Sequence, residues 1–166
     1  MDSRTASVPS ILVDTCIVSG LAKGDLPPAE LQAVMQIVEM MKRSEVTLAG
    51  TTVMRDEPNK IPARNRGPHD AVYNTLRILR TSSGVTWVDA NSGTVRRNPV
   101  YNNLCGILPD EPDARMLAIG VEYSQQYCMT DDRRTILRHR ATIASVCSIK
   151  PRLPTEILGE LLRGST

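Results

Sequence analysis

The sequence predicts an α/β fold in which a central, mostly parallel sheet of five strands carries helices on both faces. Short apolar runs of four to six residues alternate with longer amphipathic segments along the chain, which is typical of βαβ units. The 166 residues suit one domain of ordinary size, and no repeat, low-complexity tract or linker divides them. We therefore expect residues 1–166 to form a single domain.

The composition restricts the classes of protein to consider. Aromatic residues amount to 3% and phenylalanine is absent, so a surface that binds nucleic acid by base stacking is disfavoured. Sixteen of the 20 basic residues are arginine, which suits a phosphate-bearing partner, although the net charge of +2 does not by itself indicate nucleic acid. The four cysteines form no C-x2-C pair, which disfavours a zinc knuckle. Without a signal peptide or a membrane span, we expect a cytoplasmic protein.

The first half of the chain is predicted to contain two strands and three helices. Residues 10–14 form a buried strand that ends in an acid, and residues 15–23 form a helix that ends at Gly24. Residues 28–43 form an amphipathic helix that starts with proline. A second strand at 46–49 leads to a helix at 53–57. The long helix is predicted to bury a face made of Leu31, Val34, Met35, Val38 and Met41. Its other faces carry Glu30, Gln32, Gln36, Glu39 and Lys42.

The second half of the chain alternates in the same way after a proline-rich loop at 58–68. Helical spacing predicts helices at 69–80, 110–124, 132–139 and 154–163. Apolar runs predict strands at 85–88, 126–130 and 144–149. Residues 91–109 show no clear pattern. Parallel strands place their carboxyl ends at one edge of the sheet, where ligands of such folds bind.

Acidic residues recur where the predicted strands end. Four groups are expected at the same edge of the sheet: Asp14; Asp56 and Glu57; Asp110, Glu111 and Asp113; Asp131 and Asp132. Any one group has an ordinary explanation as a helix cap or as a charge near a helix start. Together they indicate a cation, because clustered carboxylates repel one another unless something neutralises them.

The residue types at this edge also indicate which cation and which reaction to expect. Carboxylate oxygens favour Mg²⁺ or Mn²⁺, and no His or Cys belongs to the four groups, which disfavours zinc. Such an ion suits phosphodiester hydrolysis, since it activates water and stabilises negative charge. Basic segments would bind the polyanion, unless they are simply solvated surface. The candidates are Arg55, Lys60, Arg64 and Arg66; Arg96 and Arg97; and Arg133, Arg134, Arg138 and Arg140.

Four short segments resemble the acidic motifs of the PIN-domain nucleases. They are residues 11–15 (ILVDT), 52–57 (TVMRDE), 113–118 (DARMLA) and 129–132 (MTDD). Residues 149–157 are similar to that family's last strand and helix, so the likeness covers nearly the whole chain. The successive spacings from Asp14 through Glu57 and Asp113 to Asp132 are 43, 56 and 19 residues. This order and spacing are more specific than any single motif.

The resemblance implies a three-layer α/β/α domain that cuts RNA with Mg²⁺ or Mn²⁺. The catalytic acids that it implies are Asp14, Glu57, Asp113 and Asp132. The implied metal ligands are Asp14, Asp113 and Asp132, with Asp131 as a competitor of Asp132. The residues on the substrate side would be Thr15, Thr130, Arg133 and Arg134. Many small members of the family are VapC-like toxins of toxin–antitoxin pairs, so an antitoxin partner and a homodimer are family expectations.

Some positions depart from the family pattern, and other functions stay open. Pro58 directly follows Glu57 and would end its helix, so Asp56 is an alternative acid. Residues 58–109 form a longer segment than in the compact toxins. A non-catalytic RNA-binding or scaffolding domain with an incomplete site is therefore the alternative function. A phosphatase of the haloacid dehalogenase type is disfavoured, because no Asp-x-Asp follows the first strand.

Overall fold

The centre of the fold is a parallel sheet of five strands. The computed structural model describes residues 7–51, 63–64, 67, 77–79 and 99–164. The strands in chain order are β1 (Ser10–Val13), β2 (Thr47–Thr51), β3 (Arg77–Leu79), β4 (Tyr127–Met129) and β5 (Lys150–Arg152). They lie side by side in the order β3-β2-β1-β4-β5, and all their pairings are parallel. β1 is therefore the central strand, and its carboxyl end lies beside that of β4.

Six helices flank these strands in the described part of the chain. They are α1 (Thr15–Lys23), α2 (Pro28–Lys42), α3 (Pro99–Cys105), α4 (Glu111–Glu122), α5 (Arg140–Val146) and α6 (Pro154–Gly164). α2 and α6 begin with proline, whose missing N–H costs nothing in a first turn. α1 ends at Gly24, which adopts the left-handed conformation (φ 72°) that glycine tolerates. None of the helices described has the length and apolar character needed to cross a bilayer.

Two hydrophobic clusters pack on opposite faces of the sheet. Ile11 and Val13 of β1 belong to one cluster and Leu12 belongs to the other, because successive strand residues point to opposite faces. The first cluster contains buried residues of α1, α2 and α6, and the second contains buried residues of α3, α4 and α5. Helices thus cover both faces, which is compatible with a three-layer α/β/α fold.

The structure confirms the parallel α/β class that the alternation of elements predicted. β1, β2 and β4 lie within two residues of their predicted bounds. The same is true of α1, α2, α4 and α6. α3 was not predicted, and it lies within the segment 91–109 that showed no clear pattern.

The last strand lies at a different place from the one predicted. Residues 144–146 belong to α5, so the prediction of a strand at 144–149 is wrong, and β5 follows it. Ile143, Val146 and Cys147 pack into the second cluster at helical spacing. The apolar run is too short for its pattern to distinguish a helix from a strand. Pro151 lies within β5, where it is tolerated because β5 is an edge strand that pairs only with β4.

Two predicted helices also need correction. The helix at 69–80 is wrong at residues 77–79, which form β3 and pair with β2. This pairing with a distant strand outweighs the local helical spacing. The helix at 132–139 is wrong as well, since residues 133–139 form successive turns before α5 begins. Three further predictions lie outside the described residues: the helix at 53–57, the strand at 85–88 and most of the loop at 58–68.

The buried face of α2 differs from the predicted one. Leu31 and Met35 were predicted to be buried, but their side chains are 38% and 51% exposed. Val34 is buried as predicted, and Val38 and Met41 pack partly buried against the first cluster. The helix also buries Ala33, Ile37 and Met40, which were not predicted. The helix is therefore rotated about its axis relative to the predicted orientation, towards the side on which Glu30 lies.

Glu30 explains this rotation. It was predicted to lie on a polar face, yet it is only 6% exposed. Its carboxylate accepts hydrogen bonds from the Thr155 backbone N–H at 3.0 Å and from the Thr155 hydroxyl at 3.2 Å. These donors lie at the start of α6, where the first N–H groups of a helix have no partner within the helix. Glu30 thus joins α2 to the amino end of α6.

Gly120 allows α4 to approach the sheet closely, and Gly120→Ala tests this contact. A Cβ there would lie 2.8 Å from Leu12 Cδ2 and 2.8 Å from Ile149 Cδ1, and both side chains are fully buried. We expect the substitution to lower the free energy of unfolding by about 1–3 kcal/mol, measured by urea denaturation. The matched control is Gly159→Ala in α6, where the nearest atom that a Cβ would meet is Arg163 Nη1 at 3.7 Å. This control should be neutral or stabilising by about 1 kcal/mol, and equal stability of the two variants would contradict the prediction.

Candidate active site

An acidic cleft of about 590 Å³ opens at the carboxyl ends of β1 and β4. Its acidic lining residues are Asp14, Asp113, Asp131 and Asp132, and its basic lining residues are Lys23, Arg133 and Arg134. Thr15 also lines it, together with Cys16 and Ser19. Of the catalytic, metal-binding and substrate-side residues that the resemblance implies and the structure describes, Thr130 alone does not line the cleft. Thr130 is buried, and its hydroxyl donates a hydrogen bond to Asp14.

Asp14 lies at the base of this acidic cleft, directly after β1. Its backbone N–H donates to the Met129 carbonyl at 3.0 Å, which extends the pairing of β1 with β4 by one residue. Its side chain is 5% exposed, and Oδ2 accepts hydrogen bonds from the Thr130 hydroxyl at 2.7 Å and the Cys16 thiol at 3.0 Å. Burial raises the pKa of Asp14, and these bonds oppose part of that rise. Burial therefore disfavours the charged form of Asp14 unless a proton or a cation compensates the charge.

Thr130 and Cys16 link the end of β1 to the turn after β4. The Thr130 hydroxyl donates to Asp14 and accepts the backbone N–H of Asp132 at 3.0 Å. The Cys16 sulfur accepts the backbone N–H of Asp131 at 3.3 Å. Burial raises the pKa of the Cys16 thiol, so it stays protonated and can donate to Asp14. The backbone N–H groups of Asp131 and Asp132 are therefore held by two side chains that also bond to Asp14.

Asp132 and Asp113 meet at the hydroxyl of Thr135. Asp132 Oδ1 accepts the backbone N–H groups of Arg134 at 2.9 Å and Thr135 at 3.0 Å. The Thr135 hydroxyl contacts Asp132 Oδ2 and lies 3.4 Å from Asp113 Oδ2. Burial, together with the charges of Asp14, Asp132 and Asp110, raises the pKa of Asp113 to about 7. The three cleft acids Asp14, Asp113 and Asp132 therefore interact electrostatically.

Asp131 is directed towards a cation of the protein itself. Its Oδ1 accepts a hydrogen bond from Arg133 Nε at 3.1 Å, and Arg133 Nη2 lies 3.8 Å from Glu30 Oε1. The Arg133 side chain is nevertheless 60% exposed at the rim of the acidic cleft. Asp131 is thus paired in this structure, whereas Asp14, Asp113 and Asp132 have no ion pair in the part of the chain described. The geometry favours Asp132 over Asp131 as the acid of the fourth motif.

Several predicted residues do not enter the acidic cleft. Arg140 pairs with Glu156 of α6 at 2.9 Å, and Arg138 is exposed outside the lining. Glu57 and its alternative Asp56 lie outside the described residues, as do five basic candidates: Arg55, Lys60, Arg66, Arg96 and Arg97. The second acidic motif of the resemblance therefore has no structural account.

Four residues of the site were not predicted. They are Cys16, Ser19, Lys23 and Thr135. Ser19 and Lys23 follow Thr15 at intervals of four residues, so a helical reading of 15–23 would have placed all three on one side of α1. Thr135 follows Asp132 by three residues, the spacing at which an Asp side chain receives a backbone N–H in a turn.

The chemistry of the acidic cleft fits a hard divalent cation, although three ligands are not already assembled. The described residues contain no group of three or more His, Cys, Asp or Glu side chains arranged to hold a metal. Asp14 and Asp113 nevertheless supply carboxylates without an ion pair among the described residues, and burial together with neighbouring negative charges raises the pKa of Asp113. Mg²⁺ usually binds through one or two carboxylates and keeps several waters. The donor set therefore fits such an ion.

Comparison of the chain with protein-family models, with curated proteins and with solved structures gives no match.

Proposed function

We propose that this chain is a divalent-metal-dependent ribonuclease of the PIN-domain type, with a three-layer α/β/α fold around its five-stranded sheet. The observation that carries the proposal is the convergence of Asp14, Asp113 and Asp132 on one cleft. These acids are far apart in the sequence, and each comes from a motif of the resemblance. Burial and the charges of Asp14 and Asp132 raise the pKa of Asp113, and a shift of this kind in a cleft is typical of functional sites.

The residues of the acidic cleft would divide the work of hydrolysis. Mg²⁺ or Mn²⁺, when bound by Asp14 and Asp113, would supply an activated water and compensation of phosphoryl charge. Asp132 would be the third acid beside the ion, because hydrogen bonds with Thr130 and Thr135 hold it in place. Thr130 and Cys16 orient the Asp14 carboxylate by donating hydrogen bonds to Oδ2.

The rim of the acidic cleft suits a polyanionic substrate. Arg133, Arg134 and Lys23 line it and would bind phosphates on either side of the scissile bond. Thr15 is the further substrate-side candidate at this rim. The residues lining the cleft, in the part of the chain described, include no aromatic side chain. Recognition would therefore depend on phosphate contacts more than on base stacking.

The test is cleavage of a structured RNA by the purified chain in Mg²⁺, in Mn²⁺ and in EDTA. We expect cleavage with either cation and none in EDTA. The control is Asp25→Asn, which removes one exposed carboxylate that lies between α1 and α2 and does not line the acidic cleft, and it should cleave like the original chain. Cleavage that persists in EDTA would contradict the proposal.

A non-catalytic RNA-binding or scaffolding domain is the second candidate. The observation in its favour is that Asp131 is neutralised by Arg133 and that the described residues assemble no three-ligand group. Such a domain would bind the RNA in a gel-shift assay but leave it intact with every cation.

A toxin role, inhibition by an antitoxin protein, a homodimer and a cytoplasmic location belong to the same proposal and rest on the family resemblance. Co-purification with a protein encoded beside it would test the antitoxin, and light scattering would measure the number of subunits.

A further inference from the structure

Thr135 contacts the two acids that come from different elements of the acidic cleft. Its hydroxyl touches Asp132 Oδ2 and lies 3.4 Å from Asp113 Oδ2. Its backbone N–H also donates to Asp132 Oδ1 at 3.0 Å. Both oxygens of Asp132 are therefore in contact with Thr135, and the same side chain reaches α4 through Asp113.

A neutral hydroxyl at this position contacts both carboxylates, whose negative charges repel each other. Two carboxylates that face one another repel, and this repulsion would separate α4 from the turn after β4. The hydroxyl has one hydrogen, which it can donate to only one of the two carboxylates at a time. It therefore links the two carboxylates but supplies no positive charge, so a cation is still favoured between them.

We propose that Thr135 is a positioning residue that keeps Asp113 and Asp132 close enough to share one divalent cation. This inference rests on the proposed function, because it concerns the same acidic cleft. Partners that orient metal ligands without touching the metal typically change its affinity by 10- to 100-fold when they are removed.

Substitution of Thr135 can separate this role from that of its backbone. The N–H bond to Asp132 is a main-chain contact, so it survives any change of side chain other than proline. Thr135→Val keeps the branched shape and removes only the hydroxyl. Thr135→Ser keeps the hydroxyl and removes a methyl group.

The experiment measures Mn²⁺ binding by electron paramagnetic resonance, which needs no activity. We expect Thr135→Val to weaken Mn²⁺ binding about tenfold and Thr135→Ser to stay within about threefold of the original chain. In the cleavage assay, Thr135→Val should need more Mn²⁺ while its KM for RNA at saturating Mn²⁺ stays the same. Far-UV circular dichroism checks folding, and Thr135→Ala is the second hydroxyl-free variant if the valine variant does not fold.

Each other outcome has a defined meaning. Unchanged Mn²⁺ affinity in a folded hydroxyl-free variant overturns the role of Thr135 and leaves the ribonuclease proposal standing. Equal weakening in Thr135→Val and Thr135→Ser also overturns it, since the effect then does not depend on whether the hydroxyl is present. Mn²⁺ binding without RNA cleavage by the original chain overturns the ribonuclease alone, whereas no binding at millimolar Mn²⁺ overturns both.

Discussion

Asp14→Asn is expected to lower metal-dependent RNA cleavage by at least about 100-fold while the fold stays intact. Asp14 follows the central strand and is almost fully buried, with Thr130 and Cys16 bonded to one oxygen. Asparagine keeps the shape and one oxygen acceptor for these donors. It lacks the negative charge that a hard cation requires, so cation binding and cleavage should fail together.

The assay compares rates of cleavage of one RNA at saturating Mg²⁺, with urea denaturation as the measure of folding. Stability should not fall, because burial already makes the charged form of Asp14 costly. The matched control is Asp25→Asn, the same change at an exposed position. A rate for Asp14→Asn that equals the rate of the control would show that the cleavage comes from a contaminant.

Asp113→Asn is expected to stabilise the metal-free chain at pH 8 by about 1–3 kcal/mol. Burial and three neighbouring carboxylates raise the pKa of Asp113 from 3.8 to about 7. The neutral amide of asparagine avoids both costs while it keeps the shape of the side chain. The expected gain is smaller than the free energy that corresponds to the whole pKa difference, because Asp113 is partly exposed and solvent screens the neighbouring charges.

The sign of the pH dependence follows from proton binding. Between pH 4 and pH 7, Asp113 holds a proton in the folded chain and loses it in the unfolded chain. Its contribution to stability is therefore fully present below pH 4 and is lost as the pH rises to about 7. The advantage of Asp113→Asn should be absent at pH 4, grow up to pH 7 and stay constant above it.

Urea denaturation of both chains in EDTA at pH 4, 5, 6, 7 and 8 measures this difference. Asp25→Asn again serves as the control for loss of one carboxylate. An advantage of Asp113→Asn that is as large at pH 4 as at pH 8 would falsify the account, since it would come from packing. The same variant should lack metal-dependent cleavage, so stability and activity would change in opposite directions.

Much of the fold could be predicted because local signals and tertiary packing agree in most elements. Apolar runs and helical spacing placed β1, β4, α1 and α4 within two residues. The local sequence signals failed where contacts between residues far apart in the sequence determine the structure. Glu30 is buried by a bond to Thr155, 125 residues away, and nothing near α2 in the sequence indicates this. Pro151 in β5 is acceptable only because β5 is an edge strand, which depends on the order of the whole sheet.

The acids of the site could be predicted in part. Acids at the ends of strands meet at one sheet edge, which indicated the acidic groups, and the family resemblance selected Asp14, Asp113 and Asp132 among them. Thr130 was also predicted, but Thr135 and Cys16 were not. These two side chains bond to residues of other segments, Asp113 and Asp131, and short polar side chains of this kind occur throughout the sequence.

The central position of β1 has a consequence for the chain during its synthesis. Ile11 pairs with Tyr127, 116 residues later, and Thr130 reaches Asp14 across the same interval. At about 5–20 residues per second, a ribosome needs roughly 6–23 s to add that length. Pairing of this long range also forms slowly. A nascent chain therefore carries Asp14 without Thr130 and the neighbouring strand until β4 has emerged, and the acidic cleft cannot form before that point.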